Sequence, residues 1–326
     1  MGKRPESDAP ALIYAKARFG RGLLGVGMGL GNRLFPWARY RIFAHVNRVV
    51  GVAPVWTRPA ISQLRRGGID SSAFLRQIVL FRLFRRGADE LGVLHGNLRM
   101  LSMPRLEEPA DPAQPIQGDV RGKVIFEGWK DAFARLNGWN QFLSDELRTI
   151  TRKQGIELAD SFRDVRVAIC VRCGNDFKDP PPNAVTLAGD EKTPIRWFVR
   201  CLSLIRKEIG MDVPAYVVSD GTAEQLRDLL AMPNVVFVRP GSAISDLLVL
   251  AKARVLLVSG SSSFAAWGSF LGQMPTISHP GQPLSFWGME SRAGQFLGEF
   301  DPDHPSTEFI SQAVSCLTQR PTGERL

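Results

Sequence analysis

The sequence predicts an α/β protein of two domains, each built around a mostly parallel sheet. Three observations predict this. From Val165 onward, short β-rich runs alternate with segments of helical periodicity, the pattern of strands joined by helical crossovers. Near the N-terminus an apolar run, a glycine-dense loop and an amphipathic helix follow one another. The 326 residues are about what two domains need, and a hydrophobic share of 44% supplies their cores, so disorder of the whole chain is excluded.

Taken in order, residues 1–20 read as a polar tail of mixed charge, without the apolar core of a signal peptide. The N-terminal α/β domain is placed at residues 21–155. It opens with a strand at Leu23 to Gly27 and a loop from Gly27 to Asn32. A helix follows, marked by Leu34, Phe35, Ala38, Ile42, Phe43 and Val46, then a strand at Val49 to Trp56. Residues 104–122, rich in proline, read as loop; Val124 to Gly128 reads as a strand and Trp139 to Ile150 as a helix.

The C-terminal domain is placed at residues 156–326. Its strands are expected at 165–171, 215–219, 235–238, 255–258 and 275–277, the last strand of the chain. Its helices are expected at 197–209, 223–230, 245–253, 263–271 and 308–317.

A formal charge of +9 favours phosphate-bearing partners, whether nucleotides, nucleic acid or an anionic membrane. No nucleic-acid-binding motif is present, and no nucleic-acid partner is expected. Four cysteines in a chain of this length make no disulfide framework and fit a reducing compartment. No stretch reaches the roughly 20 apolar residues of a membrane span, so a cytoplasmic protein is expected. Within 74–86, large apolar residues alternate with Arg76, Arg82, Arg85 and Arg86. That segment reads either as a helix packed on its own domain or as a basic surface touching the inner face of a membrane.

Several segments can carry chemistry. The glycines at 25, 27, 29 and 31 do not have the offsets of the dinucleotide fingerprint, and no acid ends the following strand, so a nicotinamide or flavin enzyme is disfavoured. Bare backbone at Gly29 and Gly31, ahead of a helix, suits a closely approaching anion. Arg172 and Gly174 follow a strand; a guanidinium there can hold phosphate bidentately. Cys170 and Cys173 form a C-x-x-C, but two further zinc ligands at sensible spacing are missing and Gly174 does not open a helix.

Asp220 ends a strand, where it can take a ribose hydroxyl or a guanine edge, or cap a helix over 223–230. Ser261, Ser262 and Ser263 at a helix start can make a neutral phosphate cradle. Asp301-Pro302-Asp303 is a D-x-D, with no strand expected before it. No metal site is expected.

Four of these segments together resemble the fucosyltransferase superfamily, family-11 α-1,2-fucosyltransferases in particular. Gly29 to Phe35 is similar to G-L-G-N-Q-[ML]-F, with Arg33 in place of Gln. Val167 to Phe177 resembles the strand and loop H-x-R-R-G-D, with Cys170 for His, Cys173 for the second Arg and one residue inserted. Either Asn175 or Asp176 then matches the Asp; Asp176 is favoured because Phe177 matches the aromatic that often follows. Val217 to Asp220 is similar to [FV]-S-D-D, and Ser261 to Trp267 to [NS]-S-[ST]-F-S-W-W. The four span residues 23 to about 272, in the family's order.

The resemblance implies a GT-B-like fold, two Rossmann-like domains facing across a cleft. It implies transfer of fucose from GDP-fucose to a glycan hydroxyl in cell-surface polysaccharide synthesis, with inversion and without metal. Arg172, Asp176 and Asn32 would act at the reaction centre. Gly29, Gly31, Arg172, Gly174, Asp220 and Ser261 to Ser263 would bind the donor. A different nucleotide-sugar donor, or a binding or scaffold protein that keeps the fold without turnover, remains open, because Cys170 and Cys173 reshape the pocket.

Overall fold

The computed structural model describes residues 12–19, 29–56, 83–174, 177–181, 184–238 and 242–319. The chain divides into two compact units, Met1–Arg152 and Lys153–Leu326, each with a sheet of parallel strands. The apolar run 23–27 lies outside the described residues, as do positions 74–82 of the arginine-rich segment.

The first unit holds β1 (Ile13–Arg18), α1 (Leu30–Asn47), β2 (Val50–Val52), β3 (Glu90–Leu91), α2 (Val93–Met100), β4 (Arg105–Leu106), β5 (Gly122–Glu127) and α3 (Asn140–Ile150). Its strands lie in the order β3-β2-β1-β5-β4, every neighbouring pair parallel. β1 corrects the reading of residues 1–20 as a tail. Ile13, Ala15 and Ala17 are buried on one face, as a period of two demands. Lys16 and Arg18 alternate with them and are paired: Lys16 Nζ donates to Asn97 Oδ1 (2.6 Å), and Arg18 pairs with Glu127. Burial, reinforced by the charge of Arg18, holds the Lys16 ammonium below its ordinary pKa. β4 likewise interrupts what reads as loop, and β2 is shorter than the strand expected there.

Helix α1 is buried on nearly every side, including Arg33, Arg39 and Arg41. Arg33, which stands where the resembled motif has Gln, serves the core: its Nη1 donates to the Trp56 carbonyl (2.6 Å) and its guanidinium lies over the Phe19 ring. The described end of the arginine-rich segment also packs on its own unit. Phe84 stacks on Trp56, and Arg85 Nε donates to the Thr149 carbonyl.

The second unit holds α4 (Lys153–Ser161), β6 (Val167–Val171), α5 (Ile195–Ile209), β7 (Ala215–Ser219), α6 (Arg227–Leu230), β8 (Val235–Phe237) and α7 (Ala243–Ala251). It continues with β9 (Val255–Val258), α8 (Ser263–Gly272), β10 (Thr276–Ser278), β11 (Leu297–Glu299) and α9 (Thr307–Thr318). The strand order is β11-β10-β9-β6-β7-β8, all parallel. Counted within the unit this is 3-2-1-4-5-6, the doubly wound order, and it reverses between β6 and β9.

Central strands β6 and β9 are buried throughout, as parallel strands covered on both faces must be. On α5, Trp197, Phe198, Cys201, Leu202 and Ile205 follow helical spacing into that core, and Gly210 ends the helix in the left-handed region. β11 follows the strand expected to be last and precedes the D-x-D, so that motif does have a strand before it. Asp303 of the motif is paired with Arg200, and Asp301 Oδ1 accepts the Asp303 N–H.

Candidate functional site

The carboxyl ends of β6, β7 and β9 meet where the strand order reverses, the place where open α/β sheets bind ligands. Arg172 leaves β6, Asp220 leaves β7 and Ser259 leaves β9. Arg172 Nη1 lies 2.7 Å from Asp220 Oδ2. Asp220 Oδ1 accepts the Cys173 N–H (2.8 Å), so both carboxylate oxygens are engaged. The Arg172 guanidinium also lies over the Phe177 ring, 5.2 Å from its centroid. An acid on one side and an aromatic face on the other fix the direction of a charge that is about a quarter exposed.

Sequence reasoning treats Arg172 and Asp220 as separate ligands of a donor; the structure pairs them. It also removes Asp220 from the helix-cap role. The expected helix over 223–230 shortens to α6, which has no side-chain cap, because residues 222–225 form a turn closed by Thr222 and Gln225.

The loop after β9 supports the same point. Ser259 is buried, and its Oγ accepts the Arg172 N–H (3.1 Å). Gly260 abuts the Gln282 carbonyl so closely that a Cβ there would lie 1.7 Å from the oxygen. Only glycine fits. Ser262 is the N-cap of α8: its Oγ accepts the Ala265 N–H (3.3 Å), and the residue is buried. Its hydroxyl oxygen therefore serves the helix, while Ser261 and Ser263 on either side are partly exposed.

The β6–α5 connection folds against this loop. Gly189 faces the Ser261 hydroxyl. Buried Gln282 binds the connection at three points: Oε1 accepts from Thr193 Oγ1 (2.7 Å), and Nε2 donates to the carbonyls of Glu191 (2.7 Å) and Ala188 (3.2 Å). Sequence reasoning missed Ser259, Gly260 and Gln282. Gly260 stood in plain view between the serines, but its carbonyl neighbour is 22 residues away in the chain.

The C-x-x-C residues are poor thiolates here. Cys170 is wholly buried on β6, which pushes its thiol up to about 12. Cys173, half-buried, is also raised by burial, against the Ser219 hydroxyl that contacts its sulfur. Cys201 sits inside the hydrophobic core, its thiol raised by burial as well.

Of the other expected site residues, Gly174 follows the Arg172 turn, and Asn175 and Asp176 lie outside the described residues. Gly29, Gly31 and Asn32 belong to the first unit. Gly29 is the N-cap of α1, and Gly31 and Asn32 lie in its first turn rather than in a loop. Asn32 Oδ1 is a buried acceptor without a partner among the described residues. Its backbone carbonyl also lacks the usual donor, because Pro36, four residues on, has no N–H.

No family model and no curated protein matches the sequence. Among solved structures the chain is similar to the fucosyltransferase NodZ from Bradyrhizobium, at 13% identity and a TM-score of 0.48, over 82% of this chain and 94% of that one. A NodZ α-1,6-fucosyltransferase co-crystallized with GDP is 14% identical, with a TM-score of 0.48, over 83% and 97% of the two chains. POFUT1 in its apo-form is 11% identical, with a TM-score of 0.45, over 84% and 99%. Likeness at this level says nothing of substrate.

Proposed function

We propose that the chain is a glycosyltransferase that takes a sugar from a nucleoside diphosphate. The observation that carries this reading is the oriented Arg172 at the switch point of a doubly wound sheet, beside a capped helix N-terminus. A guanidinium and a helix N-terminus favour the same species, a diphosphate whose charge grows as the glycosidic bond breaks. The partly exposed neighbours Ser261 and Ser263 offer hydroxyls to it, and Asp220 acts by holding Arg172.

Fucose from GDP-fucose is the donor the four motifs favour, and a glycan hydroxyl the acceptor, with inversion and with cell-surface polysaccharide as the product. The roles of Gly29, Gly31 and Asn32 toward the donor, and of Gly174 and Asp176, rest on that resemblance alone, as does chemistry without metal. No described helix is long and apolar enough to cross a membrane; peripheral contact through 74–86 is a separate proposal, tested by flotation with anionic vesicles.

Titration calorimetry of the full chain with GDP, UDP and ADP, without added metal, tests the donor. Selective GDP binding that disappears in Arg172→Ala supports the reading. A preference for UDP keeps the fold-based site and removes fucose. Absence of all binding favours a scaffold that keeps the fold without turnover, a reading to which Cys173, in place of the motif's second arginine, already lends weight.

A further inference from the structure

A second built site lies in the first unit, at the carboxyl ends of β4 and β5. Glu107 and Glu108 leave β4; Gly128, Trp129, Lys130 and Asp131 leave β5. Between them opens a cleft of about 610 Å³, lined by Glu107, Glu108, Lys130, Asp131 and Arg135 with Pro109 and Ala110.

The loop that forms one wall is strained. Lys130, Asp131 and Ala132 have φ of 22°, 54° and 41°, three successive non-glycine residues in the left-handed region. Such conformations are costly and persist where surrounding structure imposes them, often at ligand sites. The constraint here is Arg39, fully buried on α1. Its Nη2 donates to the carbonyls of Glu127 (2.8 Å) and Gly128 (3.0 Å), its Nη1 to that of Trp129 (3.2 Å), and its Nε to Glu108 Oε1 (2.7 Å). One guanidinium thus ties both walls together. Its burial depresses the Arg39 pKa against the pull of Glu108, a cost the fold bears to hold this loop.

The chemistry of the walls selects the ligand. Each cation has an acidic partner: Lys130 Nζ lies 2.8 Å from Glu108 Oε2, the carboxylate it shares with Arg39, and Arg135 Nη2 lies 2.6 Å from Asp131 Oδ2. Glu107 is the third acid, matching Arg39, Lys130 and Arg135, so the walls carry no excess charge. An anion gains little from such a surface. A neutral ligand with many hydroxyls gains a great deal, because paired carboxylates and ammonium or guanidinium groups present fixed acceptors and donors side by side. Immediately before Lys130 in the same loop, Trp129 is 46% exposed, and an indole is a side chain that packs on the C–H face of a sugar ring.

We infer that this cleft, with Trp129, is a binding subsite for a neutral oligosaccharide. The inference deepens the glycosyltransferase reading, which gives such a ligand its use, but its geometry is independent of the nucleotide site.

The test screens the full chain against an array of neutral glycans and titrates the best hit in solution, with GDP titrated into the same samples. Expected is glycan binding that falls about tenfold in Trp129→Ala, the worth of a good aromatic contact. Trp129→Phe should restore most of it, and GDP affinity should be unchanged in both variants. Glycan binding unaffected by Trp129→Ala, or no glycan binding by a chain that binds GDP, overturns the inference and leaves the donor site standing. Trp129-dependent glycan binding without GDP binding removes GDP-fucose as the donor and leaves this inference standing. A chain that binds neither overturns both this inference and GDP-fucose as the donor.

Discussion

Arg172 and Asp220 form an ion pair at 2.7 Å, and the second oxygen of Asp220 holds the backbone N–H of Cys173, the residue that follows Arg172. The carboxylate therefore grips the turn carrying the arginine as well as the arginine itself. A group built this way acts through its partner.

Asp220 and Arg172 should therefore fail to add. Arg172→Ala is expected to weaken GDP binding by about 1.5–3 kcal/mol, the range for hydrogen bonds to charged groups, or roughly ten- to a hundredfold in Kd. Asp220→Ala should cost less, because losing the orientation of Arg172 is partly offset by removing a negative charge near phosphate. The double variant should bind no worse than Arg172→Ala alone. Calorimetric titration of all four proteins decides it. Losses that sum would mean that Asp220 contacts the nucleoside independently.

Two glycines should respond oppositely to a methyl group. At Gly260 a Cβ meets the Gln282 carbonyl, so Gly260→Ala must move backbone; a loss of at least about 2 kcal/mol in denaturant unfolding is expected. At Gly29 no atom of the described residues would lie within 4 Å of an added Cβ and φ is −67°, so the described fold has room for alanine. Gly29→Ala should leave stability within about 1 kcal/mol. If this glycine serves a closely approaching donor, GDP or GDP-fucose affinity falls while stability does not. Unchanged affinity would leave Gly29 without a donor role.

How much of this was legible in the sequence depended on how local the cause was. Strands β7 and β9 have the expected bounds because Ala215–Ser219 and Val255–Val258 are apolar runs with polar or glycine punctuation. β1 was hidden because Lys16 and Arg18 break its apolar run, and their partners Asn97 and Glu127 lie 81 and 109 residues away. β3 and β4 are two residues long, too short for any period to show. At the site, the strand-end positions of Arg172 and Asp220 followed from pattern. Their pairing did not, because it depends on β6 and β7 lying side by side. The strained loop at 130–132 left little trace in sequence: of Lys, Asp and Ala only Asp leans toward the left-handed region, and the constraint comes from Arg39 on another element.

Gln282 should control the connection that covers Ser261. Gln282→Ala leaves the Ala188 and Glu191 carbonyls without this donor and Thr193 Oγ1 without this acceptor, a cost of about 1–3 kcal/mol. Hydrogen exchange or limited proteolysis should show residues 186–193 opening more readily, with the core strands β6 and β9 unaffected. Equal protection in variant and wild type would show that the connection is held by its other contacts.

His279 should give stability a pH dependence of definite sign. Burial lowers its pKa, opposed by the hydrogen bond to the Pro280 carbonyl (2.9 Å), which is made by the neutral ring's Nδ1–H. The unfolded chain takes up a proton near pH 6.5, before the folded one does. Stability is therefore unaffected by this group above that pH, falls as pH drops below about 6.5, and levels off beneath the folded pKa, with a slope of at most about 1.4 kcal/mol per pH unit. Denaturant unfolding of wild type and His279→Asn between pH 5 and 8 checks this. The variant should lose less stability across the acid half of that range. Parallel curves would show that His279 titrates alike in both states, and that its place against Trp197 leaves it open to water.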